Sequence, residues 1–252
     1  MDDEPTSGTS RLVDDLIGLP LRKLRNRLLP IEAVWQRGLS SELGFWERYF
    51  ATGGLEWREK YRARLDPDTP VQERPVRDCL TKLGRSSIAV LDVGAGPCTV
   101  LGKMHDGRHL MITAVDPLAD AYNAMLERFH VSPAIVTLPG DAERLTELFA
   151  SESFDLVYCR NALDHGYDPL LAVTCMLQVV RPSGFVVLIH GIDEAETSRY
   201  RGLHQWNVCQ RRGELIIWNQ AITHNVSTLL AGRAVITCHD EDGQLAAVLQ
   251  RT

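Results

Sequence analysis

From about residue 71 onward, apolar residues come in short unbroken runs separated by helix-length amphipathic stretches. Residues 88–93 (Ile-Ala-Val-Leu-Asp-Val), 110–115 (Leu-Met-Ile-Thr-Ala-Val), 134–138, 154–159 and 184–190 are such runs. A parallel strand covered by helices on both faces has no need to alternate, so each run predicts a buried strand. Between them, residues 75–84, 118–130, the segment opened by Asp141-Ala142, and 168–180 predict helices, and a further helix is expected after the turn that closes the first strand. Strands alternating with helices predict an α/β fold. The pattern then changes. Val208-Cys209 and Glu214 to Trp218 flank a Gln-Arg-Arg-Gly turn and read as an inserted hairpin, and Asn225 suits the cap of a short helix ending at Gly232. Val235 to Cys238 and Leu245 to Leu249 read as a closing antiparallel hairpin.

The first seventy residues follow another logic. Residues 1–10, rich in Asp, Ser, Thr and Gly, predict a disordered tail. Residues 11–29 are basic and leucine-rich, with Pro20 dividing them. A helix packed on the main domain is preferred here to a membrane-surface helix, because Asp14 and Asp15 dilute the positive charge. Phe45, Trp46, Tyr49 and Phe50 share one helical face; Gly53-Gly54 ends that helix, and residues 66–70 (Asp-Pro-Asp-Thr-Pro) form a loop. The expected organisation is a tail (1–10), a helical cap (11–70) and a main domain (71–252) with an inserted substrate-facing segment at about 191–222.

Composition narrows the function classes. A chain of 252 residues can bury one sizeable core, and its 44% hydrophobic and 24% charged residues are those of an ordinary globular protein. A formal net charge of -6 argues against a nucleic-acid partner. No apolar run approaches the ~18 residues of a membrane span, so no stable membrane insertion is expected. The opening Met-Asp-Asp-Glu is unlike a secretory signal, which predicts a cytoplasmic protein. The six cysteines form no CxxC pair and are read as packing residues.

Candidate chemistry lies where the predicted strands end. Asp92 is followed at once by Gly94 and Gly96, a turn that lets a nucleotide-like ligand approach the backbone. Asp116 ends the second strand, where an acid can accept hydrogen bonds from both hydroxyls of a ribose. Asp141 follows the third, where an acid can accept one from an adenine amino group. One such acid would be read as a loop or cap residue; three in order, at the spacing of βα units, point to a ligand.

With these residues the chain resembles the class I S-adenosylmethionine-dependent methyltransferases of the small-molecule, type 11-like group. Residues 91–98 (Leu-Asp-Val-Gly-Ala-Gly-Pro-Cys) are similar to the family's first motif, and the segments 154–165 and 181–185 to its fourth-strand motif and the turn before its fifth strand. The resemblance implies a Rossmann-like, doubly wound, mainly parallel seven-stranded sheet with a C-terminal antiparallel hairpin. It implies S-adenosyl-L-methionine as cofactor, bound by Asp92, Gly94, Ala95, Gly96, Asp116, Pro117, Asp141, Ala142, Arg160 and Asn161. Cys98 departs from the family pattern, standing where a third glycine is usual.

Methyl transfer asks mainly for alignment, and a hydroxyl acceptor gains further from a base. His165, after the fourth strand, and His204, in the connection after the fifth, are the candidate catalytic residues; His190 is a lesser one. Asp164, Asp168 and Asp193 could offer oxygen ligands, but no compact carboxylate cluster declares itself and no metal is expected. The expected activity is methylation of a small or medium-sized acceptor, a sugar, glycan or natural product, at a hydroxyl, with a homodimer left open. Two alternatives stand beside it: a non-catalytic cofactor-binding module and a nucleotide-dependent oxidoreductase. GxGxxG would put its last glycine at Thr99, which weakens the latter.

Overall fold

The computed structural model describes residues 14–252, so the proposed tail lies outside the described residues. Seven strands form one sheet: β1 (Ala89–Val93), β4 (Met111–Asp116), β5 (Thr137–Pro139), β6 (Phe154–Arg160), β7 (Val180–Gly191), β11 (Ala234–Glu241) and β12 (Gln244–Arg251), in the order β11-β12-β7-β6-β1-β4-β5. The pairs β1–β4, β1–β6, β4–β5 and β6–β7 are parallel. β12 lies antiparallel to both β7 and β11 and is the one strand running against the rest of this sheet. The expected doubly wound sheet with a closing antiparallel pair is therefore present. Its central strands are buried along their length, as their unbroken apolar runs require.

Helices α4 (Arg74–Leu83), α5 (Ala119–Arg128) and α7 (Pro169–Val179) cover the sheet, with the single turns α6 (Leu145–Leu148) and α8 (Glu194–Thr197) in its connections. α4 ends on Gly84 in the left-handed conformation, and Asp168 caps α7 by accepting from the Leu171 N–H. Against β11 and β12, strands β8 (Asn207–Arg211), β9 (Glu214–Trp218) and β10 (Thr223–Asn225) form a separate three-stranded sheet; the inserted hairpin is thus present with a third strand added. Asn225 caps the short α9 (Val226–Leu229) as expected.

One expected element is absent. Residues 94–103, after the glycine turn, form no helix; the chain runs irregularly into a small hairpin of β2 (Met104–His105) and β3 (Arg108–His109). Long-range pairing explains it. Lys103 and Met104 N–H groups donate to the Thr69 carbonyl, Val71 N–H donates to Met104, and Pro70 bridges to Met104. Within the segment the Thr99 hydroxyl takes the Leu101 N–H, a local bond that competes with a helical one.

The first described residues form α1 (Leu19–Leu28), α2 (Ile31–Ala51) and α3 (Arg58–Leu65). Pro20 sits in the first turn of α1, directly after a π-helical turn (Asp14–Gly18), and so marks the division expected within this segment. The expected packing of this segment is present but inverted. α1 is held through polar groups, with Arg22 donating to the Arg199 carbonyl, Lys23 paired with Glu196 and Asn26 bonded to Gln205, while Ile17, Leu21, Leu24 and Leu28 are exposed. Among the described residues no helix is long and apolar enough to cross a membrane.

α2 is the longer support. A Cβ at Gly38 would fall 2.5 Å from Leu203, and Trp46, two turns on, lies against Gly96. One helix thus spans about 12 Å between the glycine turn and the segment that carries His204. Trp46, Tyr49 and Phe50 form a single buried cluster with Cys98, Tyr122, Met125 and Leu126, so cap and sheet share a core.

Candidate functional site

The turn after β1 needs its glycines. Gly94 and Gly96 are left-handed (φ 69° and 64°), a conformation that side chains disfavour. A Cβ on Gly94 would come within 2.3 Å of the Ala162 Cβ on the turn after β6, and one on Gly96 within 3.0 Å of the Trp46 ring. The Gly94 and Ala95 N–H groups donate to the Val115 carbonyl, while those of Gly96 and Leu118 donate to the two carboxylate oxygens of Asp116, at 3.0 and 2.9 Å. Asp116 thus locks the turn against the end of β4. Burial pushes its carboxyl up to about 6 against those two hydrogen bonds, with the Glu42 and Asp141 charges adding to the rise.

Asp92 lies beneath the turn, fully buried, and accepts from the Thr99 hydroxyl; burial pushes it up to about 7 despite that bond. Cys98, the departure from a glycine pattern, is a packing choice. Its side chain is buried among the cap aromatics and its carbonyl accepts from Arg64, whose guanidinium stacks 5.2 Å from the Trp46 ring centroid. Lys103, also buried, donates to the Ala63 and Arg64 carbonyls at the C-terminal end of α3, where a cation meets the negative end of the helix dipole.

The other expected cofactor residues are distributed unevenly. Asp141 and Ala142 sit beside Asp116 at the end of β5, with the Gly140 N–H donating to the Asp116 carbonyl, while Pro117 is exposed. Arg160 turns back to Glu73, 2.9 Å away, which also accepts from Tyr158. Asn161, left-handed at φ 47°, accepts from the Gly191 N–H and ties β6 to the end of β7. Both are thus engaged by the protein itself.

The two candidate catalytic histidines, 39 residues apart in the chain, are brought together, and a third residue joins them. His204 Nδ1 lies 2.6 Å from Asp164 Oδ2, His165 Nε2 lies 3.2 Å from that same His204 nitrogen, and the two rings are nearly perpendicular. The local fold explains the meeting. Arg199 and Tyr200 are both left-handed (φ 60° and 55°), costly for side chains of this size, and the Tyr200 hydroxyl is fixed by Glu196 and Asn207. Gly202 completes the reversal, and the N–H groups of Gln205 and Trp206 then donate to the Asp164 carbonyl. The Trp206 ring N–H donates to Gly166.

Asp164 is buried, yet its carboxyl is held below the usual range. Burial alone would raise it, but the histidine charges and the His204 hydrogen bond outweigh that. His204 moves the other way: burial opposes its cation, and the bond to Asp164 with that residue's charge carries the net shift upward. His190, at the end of β7, is wholly buried and pushed down to about 4, with neither ring nitrogen hydrogen-bonded among the described residues. The three aspartates considered as oxygen ligands do not act as a set. Asp168 caps α7 and Asp193 accepts from the Trp218 ring N–H, leaving Asp164 with the histidines.

Glu42 on α2 links the two halves. It accepts from the Trp46 ring N–H at 2.7 Å and sits on α2 between Gly38, packed on Leu203 beside His204, and Trp46, packed on Gly96 of the glycine turn. Glu42, Arg64, Glu73 and Trp46 do not stand out individually as site residues in the sequence, since nothing in their spacing links them to β1. The aromatic face of residues 45–50 is their one visible signal.

Residues 91–188 match a family model described as a methyltransferase domain. The ubiquinone biosynthesis O-methyltransferase of Pasteurella multocida is 26% identical over 157 residues, covering 54% of this chain and 64% of that protein. The chain therefore spans less than two thirds of that curated relative. Similar solved structures include a SAM-dependent methyltransferase from Methanosarcina mazei (15% identity, 72% of this chain and 98% of that one, TM-score 0.46). Another is an O-methyltransferase family protein from Burkholderia thailandensis (13% identity, 71% and 56%, TM-score 0.47).

Proposed function

We propose that this chain, whose residues 91–188 match a methyltransferase-domain model, is a class I, S-adenosylmethionine-dependent methyltransferase that methylates a hydroxyl of a small or medium-sized acceptor such as a sugar, a glycan or a natural product. The observation that carries this reading is the packing of α2 beside two groups: Trp46 lies against Gly96, whose N–H is held by Asp116, and Gly38 lies against Leu203, next to His204 in its cluster with Asp164 and His165. The resemblance of the Pasteurella protein, named for O-methylation, supports an oxygen acceptor.

The residues suit the cofactor. The glycine turn has no room for side chains, and Asp116 and Asp141 stand together as acceptors for hydroxyl and amino donors. Each Asp116 oxygen bonds one backbone N–H and keeps a further lone pair for a ribose hydroxyl. S-adenosylmethionine, when bound, supplies a methyl carbon made electrophilic by a sulfonium. What remains for the protein is to orient the acceptor oxygen and to remove its proton. Asp164 holds the His204 ring through Nδ1 and favours its cation, so that a neutral His204 or His165 takes up the proton released when the oxygen–carbon bond forms.

The test combines binding with transfer. S-adenosylhomocysteine titrated into the full chain should bind at one site, and Asp116→Asn should weaken it about 10- to 100-fold, the scale of one or two lost charge-assisted hydrogen bonds. Label from methyl-labelled cofactor should pass to hydroxyl acceptors in a panel of sugars and phenols. Absence of S-adenosylhomocysteine binding, or tight nicotinamide binding in its place, would overturn the reading.

A further inference from the structure

We infer that Asp164, His165 and His204 form a binding site for one divalent transition-type ion, zinc(II) or a near relative. Three donor atoms converge there. Asp164 Oδ2, His204 Nδ1 and His165 Nε2 are separated by 2.6, 3.2 and 3.6 Å. Ligands around a tetrahedral zinc, each about 2.0–2.1 Å from the metal, stand roughly 3.3 Å from one another, and a point about 2.1 Å from all three atoms exists just off their plane. Two of the three edges, 3.2 and 3.6 Å, are close to that value, and the 2.6 Å edge has to open by roughly 0.7 Å.

His204 Nδ1 is common to both hydrogen bonds of the group and carries at most one proton. A proton on His204 Nδ1 can serve Asp164, but His165 Nε2 then presents either a second lone pair or a second N–H to the same crowded point. Three potential lone pairs facing one centre are relieved by a cation placed between them. Asp164 is firmly positioned to be a ligand, because its side chain is 3% exposed and its backbone carbonyl is held by two N–H groups of the segment carrying His204. The imidazoles are 20% and 28% exposed, so an ion here would keep an open position on the solvent side. Two imidazoles and one carboxylate with an open position is a borderline-soft donor set that favours zinc, cobalt, nickel or iron(II) over magnesium or calcium.

The ion's binding needs only these three residues. Its use deepens the methyl-transfer reading and rests on it, since a cation beside an acceptor oxygen favours the ionised hydroxyl. With the ion in place the two rings are ligands, and the released proton leaves to solvent.

The experiment is a zinc titration of the tag-free full chain, stripped with a chelator, in competition with a chromogenic chelator. One zinc per chain is expected, with affinity falling at least tenfold in His165→Gln and again in His204→Gln. His165 is partly exposed, so H165Q should keep its far-UV circular dichroism and melting temperature and separate lost binding from lost folding. Cobalt(II) should give visible d–d absorption in the wild type that both variants lose. Failure of the wild type to take up zinc and cobalt, or equal uptake by the variants, overturns the site. S-adenosylhomocysteine binding measured in parallel keeps the two readings apart: zinc without it overturns the methyl-transfer reading alone, and it without zinc overturns the metal site alone.

Discussion

At the scale of single residues, the unusual groups are two buried aspartates with opposite duties toward protons and ligand. Asp92 is pushed up to about 7 and Asp116 to about 6, burial being the main cause in each. Both bind a proton more tightly folded than unfolded, so their stabilising contribution is complete below the ordinary value of 3.8 and is lost as pH rises through about 6 and about 7. Urea midpoints of the ligand-free chain should therefore fall between pH 5 and pH 8. Asp92→Asn, which keeps an acceptor for Thr99 and removes the titration, should flatten that slope; an unchanged slope would refute the assignment. Binding at Asp116 should run the other way. Hydroxyl donors favour the carboxylate, so S-adenosylhomocysteine affinity should improve as pH rises through about 6, an effect calorimetry at several pH values can detect.

At the scale of elements, the irregular stretch from the glycine turn to β2 is pinned by the packing of Gly102. A Cβ there would fall 2.3 Å from the backbone of Pro70 and Val71, which cannot move aside as a side chain would. Gly102→Ala should cost about 1–3 kcal/mol in urea unfolding and loosen the loop between α3 and α4. The same stretch shows which parts of the fold are legible in the sequence. β1, β4, β6 and β7 announce themselves because strands buried on both faces write continuous apolar runs. The helix expected after Gly96 is missing because its fate is decided by residues 69–71, some thirty positions upstream, which local pattern cannot see. The candidate site divides in the same way. Asp92, Asp116 and Asp141 are legible because each ends a strand. The meeting of His165 with His204 depends on a reversal at Arg199–Gly202 whose left-handed residues are, Gly202 apart, not ones that sequence marks as turn formers. Asp164 is visible beside His165, but its place as the point where both histidines converge is not.

At the scale of the whole molecule, the cap is part of the core. Trp46, Tyr49 and Phe50 on α2 are buried with Cys98 of the glycine turn and with Tyr122, Met125 and Leu126 of α5. Lys103 and Arg64 join α3 to the same turn through carbonyl bonds from either side. Elements that bury one another's apolar faces in this way lose their stability together, so cap and sheet should unfold as one unit. Tryptophan fluorescence of a variant carrying Trp206→Phe and Trp218→Phe, which leaves Trp35, Trp46 and Trp57 in the cap as the emitters, and far-UV circular dichroism, which samples the whole backbone, should give coincident urea transitions. A fluorescence change that precedes the loss of circular dichroism would show that the cap is a separable appendage. The ligand supplies a second arm. S-adenosylhomocysteine at a hundred times its Kd should add about 2.7 kcal/mol to the folded state. Because Trp46 lies against Gly96, that gain should move both transitions by the same amount. A gain confined to the circular dichroism transition would mean that the cap does not take part in holding the ligand.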